Sequence, residues 1–138
     1  MAFVDPFRIS GSGLTAERLR LDLVANNLAN IDTTRTPANE PYRRRVPVFA
    51  QVLEARKEGM VGMGVRVVAI VEDQSPFKVV YDPGHPDADP RGYVRYPNVN
   101  VADEVVDMIG AARAYEANAT VLETAKEMAR QAIEIGRA

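Results

Sequence analysis

Apolar residues recur every three to four positions at both ends of the chain and lose that rhythm in between. Near the N-terminus Phe7, Leu14, Leu21 and Leu28 fall seven apart, with Val24 and Ile31 on the neighbouring seam. Towards the C-terminus Val101, Val105, Met108, Ala112, Tyr115, Ala119, Leu122, Ala129 and Ile133 keep the spacing, interrupted only by Lys126. Repeats of this kind write helices that pack on partner helices. All prolines but Pro6 lie between the two runs, and none falls inside them, where it would break a helix. Two complementary helical ends around a rigid, strand-rich insert suit assembly better than catalysis.

The first helix is predicted from about residue 7 to 30. It starts near Pro6 or after the flexible Ser10-Gly11-Ser12-Gly13 stretch, whose glycines weaken its first turns. Its last turn, Ala25-Asn26-Asn27-Leu28-Ala29-Asn30, is poor in helix formers. Asn30 suits a left-handed cap. Asn26 and Asn27 either bond to a neighbouring chain or the following loop, or they mark a frayed end. Asp32 to Tyr42 reads as a loop.

In the middle, Val46, Val48, Ala50 and Val52 alternate with other residues, as do Val65, Val67, Ala69 and Val71, which predicts two half-buried strands. Gly59, Gly62 and Gly64 read as hairpin-turn glycines, since their spacing does not fit a dinucleotide loop and no helix follows. A third strand from about Phe77 to Tyr81 joins them in a small antiparallel sheet, closed by the turn-rich stretch from Asp82 to Pro90. The second helix opens at Asn98 or Asn100. Asn100 followed by Asp103 resembles a capping box, and Asp103, Glu104 and Asp107 suit the positive end of the dipole. With Gly136 as terminator it runs to about Ile135, roughly 50 Å at 1.5 Å per residue. The fold class is α+β, divided into a helical part, residues 1–32 and 98–138, and a β-rich insert, residues 33–97.

Composition narrows the function classes. With 17 basic and 19 acidic residues the net charge is −2, so no field draws in nucleic acid or an anionic membrane. Arg43, Arg44 and Arg45 form the only basic cluster, read as the solvated edge of a strand. The absence of cysteine removes disulfides, thiolate metal sites and thiol nucleophiles. No run of eighteen apolar residues offers a bilayer span, and Met1 to Arg8 lacks the basic and apolar regions of a cleaved signal. His85 sits among Asp82, Asp87 and Asp89, a set that could hold a divalent ion. Pro83, Pro86 and Pro90 favour turn formers instead, so no metal, cofactor or catalytic residue is assigned. Alanines along the second helix permit close helix packing. Ile109, Val121, Ala125, Met128, Ala132 and Ile135 add a second apolar stripe, so this helix needs more than one partner.

The stretch from Leu14 to Asn30 and on through Ile31-Asp32-Thr33 resembles the N-terminal signature of bacterial flagellar rod and hook proteins. Gly64-Val65-Arg66-Val67 leading to Glu72-Asp73, Val80-Tyr81-Asp82-Pro83-Gly84-His85-Pro86 and Gly92-Tyr93-Val94-Arg95-Tyr96-Pro97-Asn98-Val99 are similar to proximal-rod members. So are Asp107-Met108-Ile109, Arg113-Ala114-Tyr115-Glu116-Ala117-Asn118 and Thr124-Ala125-Lys126. Asn27 and Ile31 depart mildly from the usual pattern. The resemblance implies a non-enzymatic structural subunit of the flagellar basal-body proximal rod, the periplasmic drive shaft and export-channel wall. It implies export by the flagellar type III apparatus without a cleaved signal. Its partners would be other rod proteins, further copies of itself and the rod-base or export-gate adaptor.

By the same resemblance the terminal helices pair as an antiparallel coiled coil and fold on assembly. Leu21, Val24, Leu28 and Ile31 would pack on Met108, Tyr115 and Leu122 within the subunit. Asn26, Asn27, Asn30, Ala112, Ala119, Ala129 and Ile133 would meet neighbours. Two other classes share parts of this pattern: a coiled-coil adaptor that dimerises in the cytoplasm, and a small enzyme with a metal on Asp82, His85, Asp87 and Asp89.

Overall fold

The computed structural model describes residues 4–138, so the first three residues of the Met1 to Arg8 stretch lie outside it. Six elements follow in order: α1 (Val4–Ala29), β1 (Arg45–Arg56), β2 (Gly59–Glu72), β3 (Lys78–Tyr81), β4 (Tyr93–Tyr96) and α2 (Val101–Arg137). The α+β layout expected from the sequence is the one observed. At 1.5 Å per residue α1 is about 39 Å long and α2 about 55 Å.

The helices run antiparallel, since Asn27 meets Glu104, Arg20 meets Asp107, and Gly13 lies under Asn118. α1 runs without interruption through Ser10-Gly11-Ser12-Gly13, which is helical rather than flexible. Close approach explains Gly13: a Cβ there would lie 2.8 Å from the Asn118 amide atoms. Asn30 does not take the left-handed cap, because Asn39 is the only non-glycine residue with positive φ among the described residues. Its amide instead donates back to the Asn26 carbonyl at 2.9 Å and its oxygen accepts from the Thr33 hydroxyl at 3.1 Å. These bonds close the helix and start the loop.

β1 and β2 form one long hairpin turning at Lys57 and Glu58. Of the expected turn glycines only Gly59 stands at the turn; Gly62 and Gly64 lie within β2. Both register shifts put the extra residues on β2, at Val68 and at Met63-Gly64. Such bulges bend and twist a strand, and here they let the ribbon follow α1. Ser12 ties the two elements together. Its hydroxyl donates to the Ile9 carbonyl at 2.7 Å and accepts from the Val65 amide at 3.0 Å. Arg56 reaches Asp5 at 2.8 Å near the hairpin tip, and Arg8 pairs with Glu54 at 3.5 Å.

The single three-stranded sheet expected from the sequence is not formed. β3 pairs with β4 in a separate two-stranded sheet, Lys78 opposite Tyr96 and Tyr81 opposite Tyr93. β4 is a short strand between Pro90 and Pro97, with the buried Val94 at its centre and Tyr93 and Tyr96 at its ends. Tyr81 and Tyr93 meet edge to face at 5.3 Å.

Asn100, rather than Asn98, caps α2, its side-chain oxygen accepting from the Ala102 amide at 2.9 Å. Asn98 is engaged elsewhere, accepting from the Arg44 amide and donating to the Asp73 carbonyl, which joins β1, the end of β2 and the start of α2. Removing the cap by Asn100→Ala is expected to cost about 1 kcal/mol, read as a lower denaturant midpoint in far-UV circular dichroism. Gly136 does not stop the helix, which continues to Arg137.

Candidate functional site

The face that α2 turns to α1 is small and polar. Its buried residues are Glu104, Ala111 and Ala125, with the half-buried Asn118 completing a seven-residue spacing. Gly13, Arg20 and Asn27 match it on α1, the first and last buried. On each helix this line lies one residue towards the N-terminus from an apolar heptad line, Leu14, Leu21 and Leu28 on α1 and Val105, Ala112 and Ala119 on α2. One residue is about 100° of rotation.

The residues expected to fill the helix pair therefore divide. Val24 is buried, while Leu21, Leu28, Ile31 and Leu122 are half-buried. Met108 and Tyr115 remain 36% and 38% exposed; four residues on from Glu104 and Ala111, they flank the shared line on the side of the Val105 seam rather than face α1. Val101, Val105, Val106 and Ile109 are exposed as well, and beyond the pair Ile133 and Ile135 reach 60% and 77%.

At the root of the helix pair sits a buried polar knot. Glu104 is 0% exposed and Asn27 1%. The Asn27 amide donates to the Arg45 carbonyl at 2.9 Å and to Glu104 Oε2 at 3.1 Å. Its oxygen accepts from the Tyr42 hydroxyl at 2.8 Å and from the Arg45 amide at 2.9 Å. Of the roles open to Asn27, the structure shows the one towards the following loop. The side chain is enclosed and every one of its polar positions is used within the subunit.

Arg44 supplies the cation of the knot. Its Nε donates to Glu104 Oε1 and its Nη2 to Asp107 Oδ2 at 2.8 Å, while Asp73 lies 3.8 Å away. Arg20 reaches the other Asp107 oxygen at 3.2 Å. Burial opposes the Arg44 charge, but the hydrogen bond and charge of Glu104, helped by Asp107 and Asp73, hold the guanidinium above its ordinary value. Burial pushes the Tyr42 phenol up, partly offset by Arg45. The Ser75 hydroxyl and amide hold the Asp73 carboxyl below the usual carboxylate range.

The arginine run is thus not one solvated edge. Arg44 turns inward, Arg43 stacks over the Phe77 ring at 4.2 Å, and Arg45 stays exposed. Spacing could have hinted at this: Glu104 lies on one heptad line with Ala111 and Ala125, and Asn27 on one with Gly13 and Arg20.

Around His85 the polar groups make turns. His85 Nδ1 accepts from the Asp87 amide at 3.0 Å, and Asp89 accepts from the Arg91 and Tyr93 amides at 2.8 and 2.9 Å. Asp87 accepts from the Thr34 hydroxyl at 2.7 Å, fastening the segment to the loop after α1. Among the described residues no helix is long and apolar enough to cross a membrane.

Two family models match the chain at its ends. Flagella basal body rod protein matches residues 7–35, covering most of α1 and the first part of the loop after it, and flagellar basal body rod FlgEFG protein C-terminal matches residues 91–135, covering β4 and most of α2. The flagellar basal-body rod protein FlgC of Borreliella burgdorferi is 44% identical over 98% of this chain and 98% of its own length. That of Escherichia coli O157:H7 is 44% identical over 99% and 100%, and that of Bacillus subtilis 43% identical over 94% and 95%. The chain belongs to the flagellar basal-body rod protein FlgC family.

It is accordingly a structural subunit of the rod, located in the flagellar basal body. In this FlgC-family subunit the helical halves of the knot and the outward seam lie on the segments that the two family models match, Asn27 in the first and Glu104, Ala112 and Ala119 in the second, while Arg44 lies between them. Of the residues expected to meet neighbours, Asn26 is exposed, and Asn30, Ala112, Ala119 and Ala129 are half-buried.

Proposed function

We propose that this rod subunit builds the proximal rod by burying the outward apolar seam of α2 against neighbouring subunits. The observation that supports it is the rotation of that seam: Val101, Val105, Met108 and Tyr115 stay exposed although α1 already covers α2 on the adjoining face. An exposed apolar stripe of this length marks an interaction surface. Ala112, Ala119 and Ala129 would let a neighbouring helix come close, Ile133 would extend the contact past the start of α1, and Asn26 and Asn30 would meet a neighbour at the root.

The helical part, residues 1–32 and 98–138, would form the tube wall around the export channel, with residues 33–97 outside it. Torque would pass along the drive shaft through these contacts in the periplasm. The partners would be further copies, other rod proteins and the adaptor at the rod base. Delivery would use the flagellar type III apparatus. Folding of the helix ends would be coupled to assembly, which suits an α2 end with so much exposed apolar surface.

Changing Ala112 and Ala119 together to aspartate is expected to leave a soluble, helical subunit that is missing from purified hook-basal bodies on immunoblots, in cells that do not swim. Glu123→Lys, off both seams, is expected to be incorporated normally. Normal recovery of the double aspartate variant in basal bodies would overturn the proposal.

A further inference from the structure

The matched seven-residue lines on α1 and α2 create an ambiguity. Sliding α2 by one heptad, about 10 Å, returns the same face to α1. Gly13, Ala111 and Ala125 are too small to interlock and so do not resist such a slide. The polar groups do not repeat. Glu104 occurs once, at the root, and is fully enclosed by Asn27 and Arg44.

A slide in one direction sets Asn27 opposite Ala111 and carries Glu104 past the end of α1. The Asn27 amide and the Arg44 guanidinium then both lose their carboxylate. A slide in the other direction brings Glu104 to Arg20, but again strips Asn27 and Arg44 and drives the buried Pro97 towards the helix. Each alternative strands polar groups away from water, which costs more than the native pairing gains.

We propose that Asn27, Arg44 and Glu104 act as positioning residues that select one of several heptad registers of the helix pair. The height of the outward α2 seam relative to the β insert is thereby fixed. The inference concerns one subunit and stands independently of the rod reading. A seam shifted by a heptad would still be apolar but would meet neighbours at the wrong level. The same use of a lone polar residue to set register is the best attested role of buried polar groups in paired helices.

Because the chain has no cysteine, engineered pairs report register cleanly. Gly13→Cys with Asn118→Cys joins residues already in contact and reads the native register. Gly13→Cys with Ala111→Cys, or with Ala125→Cys, each carrying Asn118→Ala to make room for the new Cβ, reads a slide of one heptad either way. In the full-length chain with the knot intact, the native pair is expected to oxidise far faster than the other two. When Asn27→Leu, Arg44→Met and Glu104→Leu are combined, that preference is expected to fall by about tenfold or more, the effect of losing one strong polar contact. An undiminished preference in a helical protein would overturn the proposal.

Should the triple variant lose its helical circular dichroism, Glu104→Gln decides, since it keeps the side-chain shape and removes the charge that Arg44 pairs with. A raised slipped fraction in that variant supports the register role. An unchanged fraction overturns it, because the knot would then hold the pair together without choosing its level.

Discussion

Arg44→Met is expected to lower the unfolding free energy by about 3 kcal/mol, the lower end of the range for removing one partner of a buried ion pair. Glu104 is wholly enclosed and would keep only the Asn27 amide on one oxygen. Asp107 retains Arg20 and solvent, so most of the loss falls on Glu104. Arg44 itself is one-fifth exposed, which lets water relieve part of the penalty. Domains of this size unfold at about 5–15 kcal/mol, so the variant loses a large share of its margin.

Urea unfolding followed by circular dichroism at neutral pH measures the effect as a lower midpoint with an unchanged slope. The cause is separable. Adding Glu104→Gln to Arg44→Met removes the stranded charge and is expected to restore part of the stability. Equal midpoints for the single and double variants would show that the loss comes from packing of the arginine stem.

Gly64→Ala is expected to cost about 3 kcal/mol, from a strained backbone and a displaced hydrogen bond. Gly64 has φ 115°, where an L side chain is strained, and a Cβ there would overlap the Ser12 hydroxyl and come within 3.5 Å of the Ile9 Cα. The strand must withdraw from α1, and the Val65 amide then loses its acceptor. Ser12→Ala in the same background removes the overlap with the hydroxyl but leaves the dihedral strain and the Val65 amide without its acceptor, so it is expected to return only part of the stability. A Gly64→Ala protein with the wild-type midpoint would contradict this account of the bulge.

The two helices were legible because their apolar positions recur at helical spacing over several turns. Which faces they share was not. Periodicity counts apolar residues, and here the shared line carries Gly13, Arg20 and Asn27 against Glu104, Ala111 and Asn118, while the larger apolar side chains lie beside it. The long hairpin was legible in part from the alternation of Val46, Val48, Ala50 and Val52, but its tip, residues 53–56 and 59–61, is exposed on both strands and shows no clean period. β4 was missed because Tyr93-Val94-Arg95-Tyr96 is short and lies in a segment dominated by Pro, Asp and Gly.

The knot was hidden for a different reason: heptad spacing hinted at Asn27 and Glu104 alone, and only folding brings residues 27, 44, 104 and 107 together. Arg44 looked like one member of a basic run because its neighbours on both sides are also arginines. Family resemblance added what periodicity could not, since the rod assignment rests on the order of residues in short motifs along nearly the whole chain.

Asn27 uses both donors and both acceptor sites of its side chain, each on a different atom of the protein. That leaves the position without a conservative replacement. Aspartate has no donor and would set a second negative charge beside Glu104; glutamine carries the same groups one methylene too far out; serine is too short to span them; leucine answers none of them. In terms of sequence tolerance, an exchange at position 27 of this chain leaves at least one enclosed polar partner unanswered unless Tyr42 or Glu104 changes with it.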